Sequence, residues 1–230
     1  TPGRIPATGH FPESAGPFAA IGVVGPMTRT VADLRLFFEV MQGPDIGDTN
    51  AAPVPLRWPS ESEARKLRIG YFEDDGRFPN NVLPVLVYKS VLTLPIFFAA
   101  QYIKSVFKKN GWSNLWKDSV FDYHHYHSIA HEVLGVFQGR TTMQFGGPKG
   151  KKEEVKKGDV IIIPAGVPHK NLEPRNEFQC IGAYPHGSIY DMNLGKKSER
   201  PEADEHISKL KTPSADPVFG KKGKLKSYWK

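Results

Sequence analysis

Short apolar runs, each closed by a turn-forming segment, most strongly limit what the later part of this chain can fold into. Four such runs are LPVLVYK (83–89), TTMQF (141–145), DVIIIP (159–164) and FQCIGAY (178–184). Regularly spaced short strands are typical of a β-sandwich or a small barrel. The 20 prolines and 22 glycines also argue against a helical bundle. We therefore expect a mainly β fold, with one amphipathic helix around Ala99 to Lys109 and a mobile charged turn at GPKGKKEEVKK (147–157).

Four of the eight histidines lie within eight residues, in DYHHYHSIAHEVLGVFQG (122–139). Residues two apart in a strand face the same side, so His125 and His127 would point inward together, with Tyr126 pointing out. Glu132 begins a further strand, and His169 follows the turn after DVIIIP. Three imidazoles and one carboxylate suit Fe(II), Mn(II), Ni(II) or Zn(II) better than Ca(II). The candidate ligands are His125, His127, Glu132 and His169, whereas His124 and His131 are out of phase with them.

These residues stand at the spacing His-x-His-x4-Glu-x6-Gly, followed by Gly-x5-Pro-x-Gly-x2-His. In this pattern the chain resembles the cupins, also called RmlC-like proteins. The resemblance implies a double-stranded β-helix, a jelly-roll-like barrel, that holds a metal with those four side chains. The sequence departs from the motif at Ser119, where a glycine is usual, and at Glu173, where an asparagine is usual.

A narrower resemblance covers about residues 72–229. The segments DDGRFPNN, NGWSNLWKDSVFDYHHYHSIAHEVLG and ERPEADE are similar to those of YjlB-like monocupins. We expect a cupin domain over 71–230.

The first third of the chain has a different character. It contains PGRIP (2–6), GPMTRTVADL (25–34) and GPDIGD (43–48), and in these motifs it resembles the amidase signature family. Thr30 and Asp33 predict the start of a helix that Gly43 and Pro44 would end. The resemblance implies that the catalytic lysine and serines of that family precede this segment. We expect residues 1–70 to be an amidase-like fragment without the catalytic core, and hence without amide hydrolysis.

Charge and cysteine content narrow the remaining choices. The formal net charge is +7, but GKKGKLKSYWK (220–230) supplies five lysines and no acid, so we expect a solvated basic tail. No nucleic-acid-reading motif is present, and the longest apolar run is interrupted by charges and prolines, so neither nucleic acid nor membrane is an expected partner. The chain has a single cysteine, Cys180, so it cannot form an intrachain disulfide. This is consistent with a reducing compartment, and we expect a cytoplasmic protein.

Together these features favour a mononuclear divalent-metal cupin that acts on a small molecule. Dioxygenase, isomerase and decarboxylase chemistry all fit such a site. Two alternatives are a non-enzymatic cupin that binds or senses a small molecule and a truncated amidase with an accessory cupin. Self-association into a homodimer is left open.

Overall fold

The computed structural model describes residues 67–174 and 177–229, together with Thr30, Asp33, Leu34, Leu36 and Phe37. The chain divides into two compact units, Thr1–Pro59 and Ser60–Lys230. The division at residues 70 and 71 that the sequence suggests stays a prediction.

In the first unit, the described residues contain the predicted helix start. The Thr30 hydroxyl oxygen accepts a hydrogen bond from the Asp33 backbone N–H at 3.1 Å, and the Leu34 N–H donates to the Thr30 carbonyl at 3.1 Å. These bonds satisfy amide groups that have no partner inside a helix, which confirms Thr30 as the cap. Leu36 and Phe37 are also helical, whereas the remaining positions of the predicted helix and its Gly43–Pro44 end lie outside the described residues.

The second unit is mainly β, as predicted, and its described strands form two antiparallel sheets. The strands are β1 (Leu67–Phe72), β2 (Asn81–Tyr88), β3 (Trp112–Asp118), β4 (Glu132–Gln138), β5 (Arg140–Phe145), β6 (Lys151–Lys156), β7 (Val160–Ile163), β8 (His169–Asn171) and β9 (Gln179–Pro185). The large sheet has the order β1-β2-β7-β4-β9-β3, and the small sheet has the order β6-β5-β8.

The charged segment after Gly147 was predicted to be a mobile turn, but most of it is a strand. Its residues 151–156 form β6, which pairs with β5 along its whole length. Val155 is fully buried while its lysine neighbours in the strand are exposed. One inward apolar residue and a continuous ladder are thus enough to order a strand that is otherwise charged.

Alternate residues of the large sheet supply two separate cores. On the inner face, between the sheets, Leu134, Val136 and Ile161 pack with Met143 and Val155 of the small sheet. The outer core contains Val133, Val160 and Ile162, all buried. These three residues therefore support the large sheet from outside and do not fill the space between the two sheets.

One helix of eleven residues covers part of the outer face. Helix α1 (Ala99–Lys109) buries Ala100, Ile103 and Phe107, which share one side of the helix, and it confirms the amphipathic prediction. A short helix, α2 (Glu202–Lys209), lies elsewhere, beside Tyr126 and Phe78.

The basic C-terminal segment is only partly solvated, contrary to the prediction. It forms helix α3 (Leu225–Tyr228), and both Leu225 and Trp229 are buried in the outer core. The Trp229 indole N–H donates to the Pro84 carbonyl at 2.8 Å. The described lysines of this segment, Lys221, Lys222, Lys224 and Lys226, are exposed. Within the described residues, no helix is long and apolar enough to cross a membrane.

Candidate metal centre

Three buried histidines meet at one end of the space between the sheets. One nitrogen atom from each of His125, His127 and His169 lies within 4.8 Å of the others. The Glu132 Oε2 atom lies 3.2 Å from His169 Nε2 and 3.6 Å from His127 Nε2. The structure therefore brings the four sequence-predicted candidates together, and all four are at most 4% exposed.

The backbone determines which nitrogen of each imidazole faces the cluster. His125 Nδ1 contacts the Tyr123 carbonyl at 3.2 Å, and His169 Nδ1 contacts the Val167 carbonyl at 3.2 Å. His127 Nδ1 likewise contacts the Asp191 carbonyl. A carbonyl oxygen only accepts hydrogen bonds, so each Nδ1 carries the proton and donates it. Each Nε2 then presents a lone pair, which is how histidine binds a metal.

A chain of hydrogen bonds orients Glu132. The Tyr184 hydroxyl donates to Glu132 Oε1 at 2.8 Å and accepts from the Trp116 indole N–H at 3.0 Å. Gly182 makes room for this chain, because a Cβ atom there would lie 2.0 Å from the Trp116 ring. The sequence did not identify Tyr184 or Trp116. Its only signal was the two-residue period of FQCIGAY, which places Tyr184 on the face of Cys180.

The donor set fits a divalent cation. Glu132 Oε2 is buried and has no hydrogen-bond partner among the described residues. It faces imidazole nitrogens whose lone pairs repel a carboxylate unless a positive charge lies among them. Three imidazole nitrogens and one carboxylate oxygen match the mixed ligands that Fe(II), Mn(II), Ni(II) and Zn(II) accept.

The pKa shifts of the candidate ligands also indicate that the cluster favours a positive charge. Burial favours neutral His127, but the adjacent Glu132 carboxylate outweighs it and raises the pKa of His127. Burial would also raise the pKa of Glu132, yet positive charge on His127, with His169 nearby, lowers it well below its usual value. Burial, with His169 nearby, lowers the pKa of His125 to about 3. Both shifts favour a positive charge beside Glu132, which is what a metal ion bound by these side chains would supply.

Main-chain pairing holds the two ligand-bearing segments together. The His169 N–H donates to the His125 carbonyl at 3.0 Å, and the Gly166 N–H donates to the His127 carbonyl at 2.8 Å. Gly166 has a φ of +86°, and a Cβ there would lie 2.4 Å from the Asn80 carbonyl oxygen. Only glycine fits this turn. The His-x-His segment thereby lies beside the residues that follow β7.

The His-x-His segment was predicted to be a strand, but it belongs to neither sheet. Its pairing consists of isolated bridges from His125 to His169 and from Tyr126 to Asn193. The two histidines nevertheless reach one cluster, as alternation requires. Tyr126 points the other way but is fully buried rather than solvated, because it packs against Phe78 and residues around α2.

The two histidines that were out of phase lie outside the cluster, as expected. His131 is buried, and its Nδ1 accepts a hydrogen bond from the Ala165 N–H at 3.0 Å. Its ring lies 4.7 Å from that of Trp229, so it supports the outer core. The His124 ring lies 5.7 Å from that of Phe78.

Asn171 links Ser119 and Glu173, the two positions at which the sequence departs from the cupin motif. The Asn171 side-chain amide donates to the Ser119 hydroxyl at 3.3 Å, and the Glu173 backbone N–H donates to Asn171 Oδ1 at 2.9 Å. Asn171 is fully buried. It thus joins the start of the loop that carries the first histidine pair to the end of the strand that carries His169.

A cavity of about 200 Å³ opens over the cluster. Its described lining includes the four candidate ligands and Trp116, Ser119, Phe121, Tyr184, Tyr190 and Met192. Cys180 is buried and unpaired, and its thiol donates to the Asp118 carbonyl at 3.4 Å. Burial raises the pKa of Cys180 well above its usual value, so this thiol has no nucleophilic character.

The two facing antiparallel sheets, with histidines and a glutamate at one end, define the class of the protein as a cupin. Residues 121–189 match the cupin family, and residues 1–94 match the amidase family. The second match extends through β1 and β2, which are hydrogen-bonded within the large sheet. The absence of an amidase catalytic core stays a prediction.

The chain is 42% identical over 166 residues to the uncharacterized protein YjlB of Bacillus subtilis (strain 168). The alignment covers 72% of this chain and 98% of that protein. The chain therefore belongs to the YjlB family of cupins.

Two solved structures share part of the fold. One is an acireductone dioxygenase from Bacillus anthracis with a cadmium ion in its active centre, at 20% identity, covering 37% of this chain and 58% of that chain, with a TM-score of 0.29. The other is a DUF861 family protein from Thermotoga maritima, at 23% identity, covering 43% of this chain and 96% of that chain, with a TM-score of 0.27.

Proposed function

We propose that this protein binds one divalent metal ion through His125, His127, Glu132 and His169 and uses it to act on a small molecule. The observation that carries the proposal is a cluster of three buried imidazoles, two of which hold their Nε2 atoms 3.2 and 3.6 Å from the buried Glu132 Oε2 atom. When bound, such an ion would supply Lewis-acid polarisation of a ligand oxygen. Oxidative cleavage, isomerisation and decarboxylation all remain compatible with it.

The residues around the cluster have separate tasks in this proposal. The carbonyls of Tyr123, Val167 and Asp191 hold the imidazole tautomers. The Trp116–Tyr184 chain holds Glu132, leaving Oε2 directed at the histidines. The surrounding aromatic side chains exclude water, which strengthens electrostatic interactions within the cavity.

A non-enzymatic binding or sensing role is the second candidate. The observation in its favour is that the Tyr184 hydroxyl is already engaged by Glu132 and Trp116. It is therefore not free to transfer a proton to a ligand. Oxygen uptake and product formation across a panel of small organic acids would distinguish the two roles, since a binder retains its ligand unchanged.

Elemental analysis of the purified full-length chain tests the shared premise. We expect close to one metal ion per chain in the wild-type protein and a large loss in His169→Ala, because a ligand is removed. His131→Ala is the matched control, since His131 is equally buried but contacts Ala165 and Trp229 instead. Full occupancy in His169→Ala with loss in His131→Ala would show that the ligand set is wrong.

A further inference from the structure

Two stacked aromatic pairs flank the candidate metal centre. Beside His125, the rings of Phe121 and Tyr123 are 4.9 Å apart with an interplanar angle of 20°. The Phe121 ring also lies 5.2 Å from that of His125, nearly perpendicular to it. Phe121 is 48% exposed and lines the cavity, so this pair borders the opening.

The second pair lies beside His127. The rings of Tyr184 and Tyr190 are 4.6 Å apart with an interplanar angle of 19°, and the Tyr190 ring lies 4.9 Å from that of His127. Tyr184 is buried, whereas Tyr190 is 43% exposed at the opening. Each pair therefore has a ring that borders both a candidate metal ligand and the cavity.

The charges of the cavity disfavour polyanions. Among its described lining residues, the charged ones besides the candidate ligands are Lys117 and Asp118. Lys117 follows Trp116 on β3, so it faces the opposite side of the sheet, and its amino group lies 5.1 Å from the centre of the Phe137 ring in the outer core. Asp118 adds a second carboxylate to that of Glu132. No cation in the described lining is directed at a ligand.

The size of the cavity limits the ligand further. Pockets for drug-sized molecules measure about 300–1,000 Å³, whereas this cavity measures about 200 Å³. The space suits one ring rather than a fused system. Met192, which is 42% exposed at the same opening, adds an adaptable apolar wall.

We propose that the centre selects a small flat molecule with a single ring, neutral or singly charged, that presents hydroxyl or carbonyl oxygens to the metal. The aromatic pairs recognise the ring through its faces and edges. The metal recognises the oxygens. Glu132 and Asp118 together balance the two positive charges of the ion, so no positive charge in the described lining is left to compensate a polyanion. This inference rests on the proposed function, because it requires an ion among the histidines.

The test uses 4-nitrocatechol, whose visible absorbance changes when its oxygens bind a metal, with lactate and citrate as ringless competitors. Metal content is measured first, on the same full-length samples. We expect 4-nitrocatechol to bind more tightly than lactate, and citrate to bind most weakly. Phe121→Leu and Tyr190→Leu should each weaken 4-nitrocatechol binding about threefold to tenfold, with unchanged lactate affinity and metal content.

Phe219→Leu is the matched control. Phe219 is also 48% exposed, but it packs edge-on against Tyr88, away from the cavity, so binding should not change. Metal-loaded protein that binds ring and ringless ligands equally, or whose two variants keep full 4-nitrocatechol affinity, overturns this inference alone. Wild-type protein that holds no metal overturns the proposed function, and this inference with it.

Discussion

The two faces of the large sheet serve different purposes, although the same strands build both. On β4, Glu132 and Leu134 face inward toward the candidate metal centre, while Val133 and Phe137 face outward under α1. On β9, Tyr184 faces inward and Ala183 lies in the outer core. Because neighbouring residues of one strand point in opposite directions, the site and the apolar support for its frame are encoded by alternate positions.

Removing outer-face packing should produce the largest effect and leave the site unchanged. Phe107 is fully buried in α1 and contributes to the outer core. We expect Phe107→Ala to lower the free energy of unfolding by about 3–5 kcal/mol, because it leaves a cavity. Urea denaturation measures this loss. Folded Phe107→Ala should keep the metal content of the wild-type protein, and a proportionate loss of metal would show that the faces are coupled.

Removing an inner-face hydrogen bond should have the opposite outcome. Tyr184→Phe deletes the hydroxyl that holds Glu132 and accepts from Trp116. We expect metal affinity, measured by competition with a chelator, to fall about tenfold, and the free energy of unfolding to fall by only about 1 kcal/mol. Tyr126→Phe is the control, because the Tyr126 hydroxyl contacts Glu199 and not a candidate ligand. Equal affinity losses in both variants would contradict a specific role for Tyr184.

A contact on neither face should produce the smallest effect. Arg200 donates to Asp74 at 2.6 and 2.8 Å and to Asp204 at 2.7 Å, in a partly exposed network. We expect Arg200→Met to lower the free energy of unfolding by less than about 1 kcal/mol, and by less still at high salt. Metal content should not change.

The pH dependence of this contact has a definite sign. Hydrogen bonds from Arg200 lower the pKa of Asp74. Its contribution is therefore fully present above the pKa of unfolded aspartate, about 3.9, and is lost as the pH falls through the lower folded value. The stability difference between wild type and Arg200→Met should narrow below about pH 4. A difference that widens there would contradict the assigned cause.

The sequence predicted those features of the fold that depend on local pattern. The strands were predictable because their residues either alternate between apolar and polar or, as in DVIIIP, are continuously apolar. Helix α1 was predictable because its apolar residues recur at helical spacing. The four candidate ligands followed from their spacing alone. Their convergence could only be inferred from the family resemblance, because it depends on main-chain pairing between segments about forty residues apart in the chain.

Features that depend on tertiary contacts were missed. The lysines of the C-terminal segment suggested a solvated tail, yet Leu225 and Trp229, four residues apart, share one side of a helical turn and are buried. In β6 the lone Val155 gave too weak a signal against its charged neighbours. Tyr184 was missed because alternation cannot show which face of a strand lies toward the site.

The backbone pairing between His125 and His169 positions the candidate metal centre without using the side chains that would bind the metal. Both bonds of this bridge run between backbone N–H and carbonyl groups, at 3.3 and 3.0 Å, and use no imidazole atom. Exchanging either side chain would therefore leave the two segments aligned. A carboxylate or thiolate at position 125 or 169 would shift the preference among metals by its own hardness. The backbone therefore allows the ligand side chains at these two positions to be exchanged one at a time.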